Sequence, residues 1–267
     1  MAIVYLTNAS GAPGVSTLAT ALTLNWPKRA VLLEADVTTT GHVLTGPLQG
    51  QVGHSMGMTE LNVAHQHAPL TGEDLWAQRV GLSEGKDAVP GFRTLANARG
   101  ASEDFWAGIL GAVDQLGTVV GEEVDVIVDG GRYQVHDPRS ALIGRADAVL
   151  MLTGQTLPDV ASARVAASAL KSSLDNIGHS EWLSLVTVGA PRYWEKADVK
   201  DIAKVVGADV LGSLPWDPRG AAHYSHGSDI VGRRRTKYQR ALEALTQSVT
   251  ALIEQRAYTP IVQEQRA

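Results

Sequence analysis

Cysteine is absent from the sequence, and this absence excludes two kinds of protein at once. None of the 267 residues is a cysteine, so the fold cannot depend on a disulfide framework and catalysis cannot use a thiolate. Aromatic residues are also scarce, at 5% of the chain. The length suits one large α/β domain or two small ones, and a single long sheet is within its reach.

The sequence also lacks the segments that would place a protein in a membrane. It contains no run of about 18 apolar residues, so we expect no membrane-spanning helix. Its first residues have neither the basic region nor the apolar core of a signal peptide. Residues 258–267 are polar, include Pro260 and form no amphipathic face, which argues against membrane docking. We therefore expect a soluble, cytoplasmic protein with a domain over residues 1–257 and a disordered tail over residues 258–267.

An excess of positive charge is missing as well. The formal net charge is −5, which argues against a general nucleic-acid binder but leaves room for a local basic patch. Arg233–Arg240 is the densest basic cluster in the sequence. It is either a solvated helix start or a surface for DNA or an acidic partner.

The segment up to residue 36 carries the most informative pattern in the chain. An apolar run, Ile3–Leu6, leads into a glycine-containing loop, Ser10–Thr17, and then into a helix-like stretch, Leu18–Asn25. A second apolar run, Ala30–Leu33, ends in the acidic segment Glu34–Asp36. This order of strand, loop, helix, strand and acidic tip is typical of a phosphate-binding βαβ unit.

The loop lacks the lysine that a phosphate-binding loop normally carries. A P-loop reads G-x-x-x-x-G-K-[ST]; here Val15 replaces the lysine, and the hydroxyl pair Ser16 and Thr17 is kept. Gly11 and Gly14 can still form a nest of backbone N–H groups, and the Ser16 hydroxyl can still ligate Mg²⁺. Without the lysine charge, we expect a loop that binds a nucleotide but catalyses phosphoryl transfer poorly. The alternative is a tight turn that binds no ligand.

Two carboxylates stand where strands are predicted to end. The run Val124–Asp129 is β-branched, and Asp129 is followed by two glycines. If this strand lies beside the loop strand, Asp129 would hold Mg²⁺ through water; otherwise it caps a turn. Asp36 could orient an attacking water at the terminal phosphate, or it could be a solvated strand end.

Apolar runs and amphipathic helices alternate through the rest of the chain, which predicts a single, mostly parallel sheet flanked by helices. The further predicted strands are Phe92–Ala96, Ala148–Thr153, Trp182–Val188 and Val210–Leu214. The further predicted helices are Met58–His65, a capped helix starting at Leu70–Asp74 and running to Val80, Ser102–Gly117, Asp159–Leu174, Lys196–Val206 and Thr236–Arg256.

A Rossmann site for NAD(P) is an alternative interpretation of the first unit. An acidic residue about twenty positions after a glycine loop is also its mark, and Gly11–Gly14 resembles part of such a loop. The third glycine of that pattern is missing, however, and Ser16 and Thr17 stand where helix packing requires a small residue. The Tyr-x-x-x-Lys pair of short-chain dehydrogenases is not found either.

Taken in order, these motifs resemble the ParA/MinD group of deviant P-loop ATPases over nearly all of residues 2–256. The family loop K-G-G-x-G-K-T-[TS] falls on Ser10–Thr17, and its D-x-D motif falls on Glu34–Asp36. Its strand ending in aspartate falls on Val124–Asp129, and its A-D-x-V motif on Ala146–Val149. Its late G-x-I-P-x-D motif, which wraps around adenine, falls on Gly212–Asp217.

The resemblance implies a P-loop fold, ATP and Mg²⁺ as cofactors, and a set of site residues. The nucleotide-binding residues that it implies are Gly11, Ala12, Pro13, Gly14, Val15, Ser16, Thr17, Pro215 and Asp217. Ser16 and Asp129 would be the Mg²⁺ ligands, and Asp36 would be the catalytic residue. Trp216 would be either a platform on which the base stacks or a filler of the core.

The chain departs from the family pattern at its charges. Ser10 and Val15 replace both family lysines, and Gly130-Gly131-Arg132 replaces the Thr-Pro-Pro switch. These features resemble a lysine-less, actinobacterial-type branch that includes positioning scaffolds of Tad-type pilus and secretion systems. The resemblance therefore implies a degenerate positioning or assembly adaptor with weak or no ATP hydrolysis. The alternative is an active switch ATPase in partitioning or in cell or secretion-system positioning, in which Arg132 or another basic residue replaces the lysine.

The resemblance also implies partners. Relatives dimerise on the face that carries the loop, so we expect a homodimer whose formation does not depend on nucleotide. A protein of secretion, pilus or partitioning machinery is the expected partner, and Arg233–Arg240 is the segment where DNA would bind.

Overall fold

Strands and helices alternate along the chain, as predicted. A computed structural model describes residues 1–10, 14–228 and 235–264. The strands are β1 Ile3–Asn8, β2 Ala30–Glu34, β3 Val80–Ser83, β4 Lys86–Val89, β5 Asp125–Arg132, β6 Ala148–Gly154, β7 Leu183–Val188 and β8 Val210–Leu214. The helices are α1 Val15–Asn25, α2 Met58–His65, α3 Gly72–Ala77, α4 Leu95–Arg99, α5 Glu103–Asp114, α6 Leu116–Val120, α7 Ser140–Arg145, α8 Leu157–Asp175, α9 Val199–Val206, α10 Pro218–His226 and α11 Lys237–Glu264.

The strands form one sheet in the order β3-β4-β2-β5-β1-β6-β7-β8. Neighbours are parallel except for the hairpin of β3 and β4, whose register shifts between Gly81 and Ser83. Strand β5 lies between β1 and β2, so Asp129 is level with Leu6 on one side and with Glu34 on the other. The predicted fold class is confirmed, and Asp129 lies beside the loop strand as expected.

This strand order does not fit a Rossmann dinucleotide site. In that fold the first strand pairs directly with the second, and the crevice opens where the order reverses. Here β5 separates β1 from β2. The topology therefore argues against the NAD(P) interpretation of the loop.

Alternate residues of the central strands enter two separate cores, because successive side chains of a strand point to opposite faces. Tyr5 belongs to the core on the face of α5, α7 and α8, together with Trp106. Val4 and Leu6 belong to the core beneath α1, α10 and α11, together with Leu18. Both faces of the sheet are thus covered, as a mostly parallel sheet requires.

Several predicted elements differ from the structure. The predicted strand Phe92–Ala96 is wrong: its second half begins α4, which Thr94 caps by accepting a hydrogen bond from the amide of Asn97. The β3–β4 hairpin was not predicted, since Lys86 and Asp87 make its second strand polar. Helix α11 runs to Glu264, beyond the predicted end at Arg256, while the disordered tail over 258–267 stays a prediction. In the described part of the chain, no helix has the length and hydropathy needed to cross a membrane.

Candidate functional site

Helix α1 starts directly below the loop and presents its N-terminus to it. Gly14 adopts a left-handed conformation with φ of 83°, and no side chain caps the helix within the described residues. The amide groups of the first turn therefore keep their partial positive charge for a ligand. Val15, at the lysine position, is only 4% exposed and packs in the core beneath α1. Gly11, Ala12 and Pro13 lie outside the described residues, so their predicted role stays a prediction.

Ser10, at the other lysine position, is engaged within its own chain. Its hydroxyl lies 3.5 Å from the carboxylate of Asp159. Asp159 in turn belongs to the capping box of α8, in which it accepts hydrogen bonds from the amide and the hydroxyl of Thr156. Ser10 is thus connected to the start of α8 through Asp159, and no positive charge takes part in this connection.

The predicted metal ligands and the predicted catalytic carboxylate lie around one small cavity. Ser16, Glu34, Asp36 and Asp129 are among the residues that line a cavity of about 10 Å³, which is roughly the room that one water molecule needs. Burial raises the pKa of Asp129 to about 6, and the neighbouring Ser16 hydroxyl opposes this shift. The carboxyl ends of β2 and β5 and the start of α1 therefore meet as expected.

Asp36 is held in place by its own loop. Its carboxylate accepts hydrogen bonds from the amide of Thr38 at 2.7 Å and from the hydroxyls of Thr38 and Thr39 at 2.6 and 3.1 Å. The Asp36 carboxylate occupies space that is free only because residue 131 is a glycine. A Cβ atom at Gly131 would lie 2.1 Å from the Asp36 carboxyl carbon, and the backbone there has φ of 54°.

Glu34 has a different role from Asp36, although both belong to the acidic tip. Its side chain is buried and accepts hydrogen bonds from the amides of His42 at 2.6 Å, Val43 at 2.8 Å and Gly91 at 2.9 Å. Burial raises the pKa of Glu34 to about 7 against the effect of these three bonds. Glu34 thus ties two loops to the end of β2.

A buried arginine that sequence reasoning missed lies under this site. Arg139 is fully buried and forms a two-point ion pair with Asp137, with two hydrogen bonds of 2.6 Å. Its other donors reach the carbonyls of Ala35 at 3.0 Å, Arg132 at 3.2 Å and Gly130. All five N–H groups of the guanidinium are therefore used. An aspartate and an arginine two residues apart in a loop resemble solvated residues, so the sequence carries no clear signal for this pair.

The region predicted to hold the base has a structural role of its own. The carboxylate of Asp217 accepts hydrogen bonds from the amides of Gly220 at 3.1 Å and Tyr238 at 3.2 Å, so it joins the starts of α10 and α11. Pro215 directly follows β8 and is half-buried. The structure does not place either residue at the acidic cavity, and their nucleotide role stays a prediction.

Three exposed aromatic residues follow the ends of β7 and β8, and we call them the aromatic rim. They are Tyr193, Trp194 and Trp216, with exposed fractions of 84%, 51% and 56%. The exposure of Trp216 excludes its interpretation as a core filler. Stacking against a base remains the other interpretation.

The structure describes only part of the basic cluster Arg233–Arg240. Arg233 and Arg234 lie outside the described residues. Arg235 forms an ion pair with Glu243, and Arg240 donates to the carbonyl of Arg235 at 2.9 Å. These contacts hold the start of α11, and binding of DNA there stays a prediction.

The donor set fits a metal that arrives with a nucleotide. Within residues 1–10, 14–228 and 235–264, no group of three or more His, Asp or Glu side chains is arranged to hold a metal ion by itself. Mg²⁺ usually takes one or two carboxylates and completes its shell with phosphate oxygens and water. The pair of Ser16 and Asp129, beside a cavity of ionic size, matches that partial set.

Comparison with known proteins identifies the fold. No model of a known protein family matches the sequence, and no curated protein matches it. Among solved structures, a ParA family ATPase from Chlorobium tepidum TLS matches with a TM-score of 0.70 and 13% identity, over 92% of this chain and 97% of that chain. The MinC:MinD cell division complex of Aquifex aeolicus matches with a TM-score of 0.69 and 14% identity, over 94% and 96%. The septum site-determining protein MinD of Pyrococcus horikoshii OT3, complexed with Mg-ADP, matches with a TM-score of 0.68 and 13% identity, over 96% and 99%. The chain therefore shares the P-loop fold of MinD and ParA ATPases.

Proposed function

We propose that this chain is a lysine-less, actinobacterial-type relative of the ParA/MinD ATPases that acts as a positioning or assembly adaptor. In this proposal it binds ATP with Mg²⁺ and hydrolyses it weakly or not at all. The observation that carries the proposal is the burial of Val15 at the lysine position. A residue that is 4% exposed and packed in the core leaves no room there for a cation that could stabilise a transferring phosphoryl group.

The state of Ser10 supports the same conclusion. In the resembling family, the lysine at this position reaches the nucleotide of a second subunit. Here the side chain is short and uncharged, and its hydroxyl faces Asp159 of its own chain. Dimer formation that depends on ATP would therefore lack its charged contact, and we propose a homodimer that forms without nucleotide.

The residues that would hold the cofactor follow from the site. The N-terminus of α1 and the loop Gly11–Thr17 would bind the phosphates, and Ser16 and Asp129 would hold Mg²⁺. Pro215 and Asp217 would lie on the adenine side. When bound, Mg²⁺ would neutralise part of the charge of the phosphates. Asp36 would orient a water toward the terminal phosphate in any residual hydrolysis.

Calorimetry and phosphate release together test this proposal. We expect purified protein to bind Mg·ATP while releasing phosphate far more slowly than a lysine-bearing MinD or ParA ATPase measured in parallel. Release at a comparable rate, abolished by Asp36→Ala, would instead establish the alternative function of an active switch ATPase. Absence of ATP binding would remove the nucleotide from the proposal and leave only the adaptor role.

Removal of the Ser16 hydroxyl tests where Mg²⁺ would bind. Ser16→Ala should abolish the part of the ATP affinity that depends on Mg²⁺, because it removes the metal's hydroxyl ligand. Ser248→Ala, which removes an exposed helix hydroxyl on α11, is the matched control and should bind as the wild type does. Unchanged binding in Ser16→Ala would place the nucleotide elsewhere or exclude this ligand.

The partner side of the proposal has its own tests. A MinD protein has been solved in complex with MinC, and we propose that this chain likewise acts through a protein partner, in secretion, pilus or partitioning machinery. Sedimentation with and without ATP should give the same dimer; a monomer in both conditions, or a dimer only with ATP, would contradict it. Pull-down with a variant in which Arg233–Arg240 is neutralised would test whether that cluster contacts the partner or DNA.

A further inference from the structure

Arg132 lies beside Asn8 and Ala9, where the chain leaves β1. It is the last residue of β5 and pairs in register with Asn8, the last residue of β1. Its side chain turns toward the loop, and its Nε donates a hydrogen bond to the carbonyl of Ala9 at 3.1 Å. The residue is exposed, so its guanidinium can meet a ligand that approaches from solvent.

Two arginines of this region differ in what their donors can still do. Arg139 uses all five N–H groups on Asp137 and on three backbone carbonyls, so it has none for a ligand. Within the described residues Arg132 uses only its Nε–H, which leaves the four N–H groups of its terminal nitrogens available. One of the carbonyls that Arg139 holds is that of Arg132, at 3.2 Å. The buried arginine thus fixes the backbone from which the exposed one extends.

The carboxylates around the cavity would repel a bound phosphate unless a cation lies nearby. Glu34, Asp36 and Asp129 line the same small cavity as Ser16, and Val15 supplies no positive charge. A polyphosphate that settled on the start of α1 would face these carboxylates across a short distance. The partial charge of a helix N-terminus offsets only part of that repulsion.

We propose that Arg132 binds the terminal phosphates of a nucleoside triphosphate, and that it supplies charge for binding without taking the catalytic place of the loop lysine. The charge comes from the strand next to the loop instead of from the loop itself. A guanidinium forms two parallel hydrogen bonds with a phosphate. Because a monophosphate lacks the terminal phosphates, Arg132 would favour triphosphates over monophosphates. This inference rests on the proposed binding of nucleotide and names the residue that makes it possible without lysine.

Affinities of Arg132 variants for different nucleotides test the inference. Titration of the whole protein with Mg·ATP and with AMP should show that Arg132→Gln weakens ATP binding about tenfold or more, because charge-assisted bonds to phosphate are lost. AMP binding should change by less than about twofold, since it has no terminal phosphates to lose. Arg132→Lys should recover part of the ATP affinity, because it restores the charge but not the two-point geometry.

A matched variant and a second ligand separate the possible outcomes. Arg164→Gln removes an exposed arginine from α8 with the same change in net charge, and it should leave ATP affinity unchanged. Equal ATP affinity in wild type and Arg132→Gln would overturn the inference and leave the proposed function standing. A loss shared equally by ATP and AMP would also overturn it, because Arg132 would then only shape the loop through Ala9. If the wild type binds no ATP, the nucleotide part of the proposed function fails together with this inference.

Discussion

The two ends of the sheet's ligand face are built in opposite ways. At the carboxyl ends of β2 and β5, the carboxylates of Glu34, Asp36 and Asp129 are buried or held by several hydrogen bonds, and Arg139 connects both strands. At the ends of β7 and β8, the aromatic rim extends into solvent, and Trp216 alone exposes 56% of its surface. Changes in the first region should therefore lower the free energy of unfolding strongly. Changes in the aromatic rim should lower it little.

This difference bears on the proposed function, because it shows which part of the site keeps its shape without a loop lysine. Buried charges and carbonyls must stay paired, because an unpaired buried charge costs several kcal/mol. Asp137 and Arg139 therefore stay paired whether or not the site catalyses a reaction. Ser10, before the loop, and Val15, the first residue of α1, make no contact with this pair.

The largest effect should come from the buried ion pair. Arg139→Met should lower the free energy of unfolding by about 3–5 kcal/mol, because Asp137 then stays buried without its partner. Urea unfolding measures this loss. Arg145→Met is the control: its ion pairs with Asp114 and Asp147 are exposed and long, at 3.9 Å, so the cost should stay below about 1 kcal/mol. Equal losses of unfolding free energy in the two variants would show that the buried ion pair contributes no more to stability than an exposed one.

A glycine pair sharpens the comparison next. Gly131 and Gly85 both have positive φ, of 54° and 66°, but only Gly131 faces the Asp36 carboxylate, whereas nothing lies within 4 Å of a Cβ at Gly85. Gly85→Ala should cost about 1 kcal/mol for the left-handed backbone. Gly131→Ala should cost about 1–3 kcal/mol more, because of the collision. Thermal and urea unfolding of both variants give the difference; a difference near zero would mean that Asp36 moves freely.

The pH dependence of stability should reveal Glu34. Its pKa rises from 4.5 to about 7 on folding because the carboxyl is buried. Between these values the native state binds a proton that the unfolded chain has lost, so stability falls as pH rises from about 4.5 to 7. The slope should reach at most about 1.4 kcal/mol per pH unit. Asp129, whose pKa burial raises from 3.8 to about 6, adds a slope of the same sign at lower pH. Glu34→Gln should therefore remove the part of the slope above about pH 6, whereas Glu84→Gln, in the exposed turn of the β3–β4 hairpin, should keep it. A slope above about pH 6 that survives Glu34→Gln would contradict the assignment to Glu34.

The smallest effect should come from the aromatic rim. Trp216→Ala removes a large side chain that has more than half of its surface in solvent, so the free energy of unfolding should change by about 0.5 kcal/mol or less. Differential scanning calorimetry is sensitive enough to detect a larger change. A loss above about 1 kcal/mol would show that the rim packs on the fold and would remove the contrast between the two regions.

The carboxylates of the site could be predicted from the sequence, and the ion pair that supports them could not. Parallel strands carry their carboxyl ends to one edge, so the start of α1 at Ser16, Asp36 after β2 and Asp129 near the end of β5 had to come together. The pairing of Arg139 with Asp137 depends on how the segment after β5 folds back under the sheet. The hydrophobic periodicity of the sequence does not reveal that path, because a loop, unlike a helix or a strand, has no regularly repeating buried face.

The same limit explains the elements that were missed. Helix α2 was predicted with its observed bounds, Met58–His65, and Gly57 directly before it marks its start. Strand β4 was not, because Lys86 and Asp87 read as exposed. In the structure Lys86 donates to the carbonyl of Trp26 at 2.7 Å, and Asp87 forms ion pairs with Arg29 and Arg79. Long-range partners of this kind make a polar strand stable, and a single sequence does not show them.

The β3–β4 hairpin has a consequence for crowding. A sheet edge can recruit a strand from another molecule and grow into a fibre, and proteins prevent this with short or irregular edge strands. Strand β3 closes this edge with only four residues, and its register with β4 shifts between Gly81 and Ser83. The chain is thereby protected from polymerising through this edge, even where many copies are concentrated together. Copies that meet at this edge would associate through helices and loops and not by adding a strand.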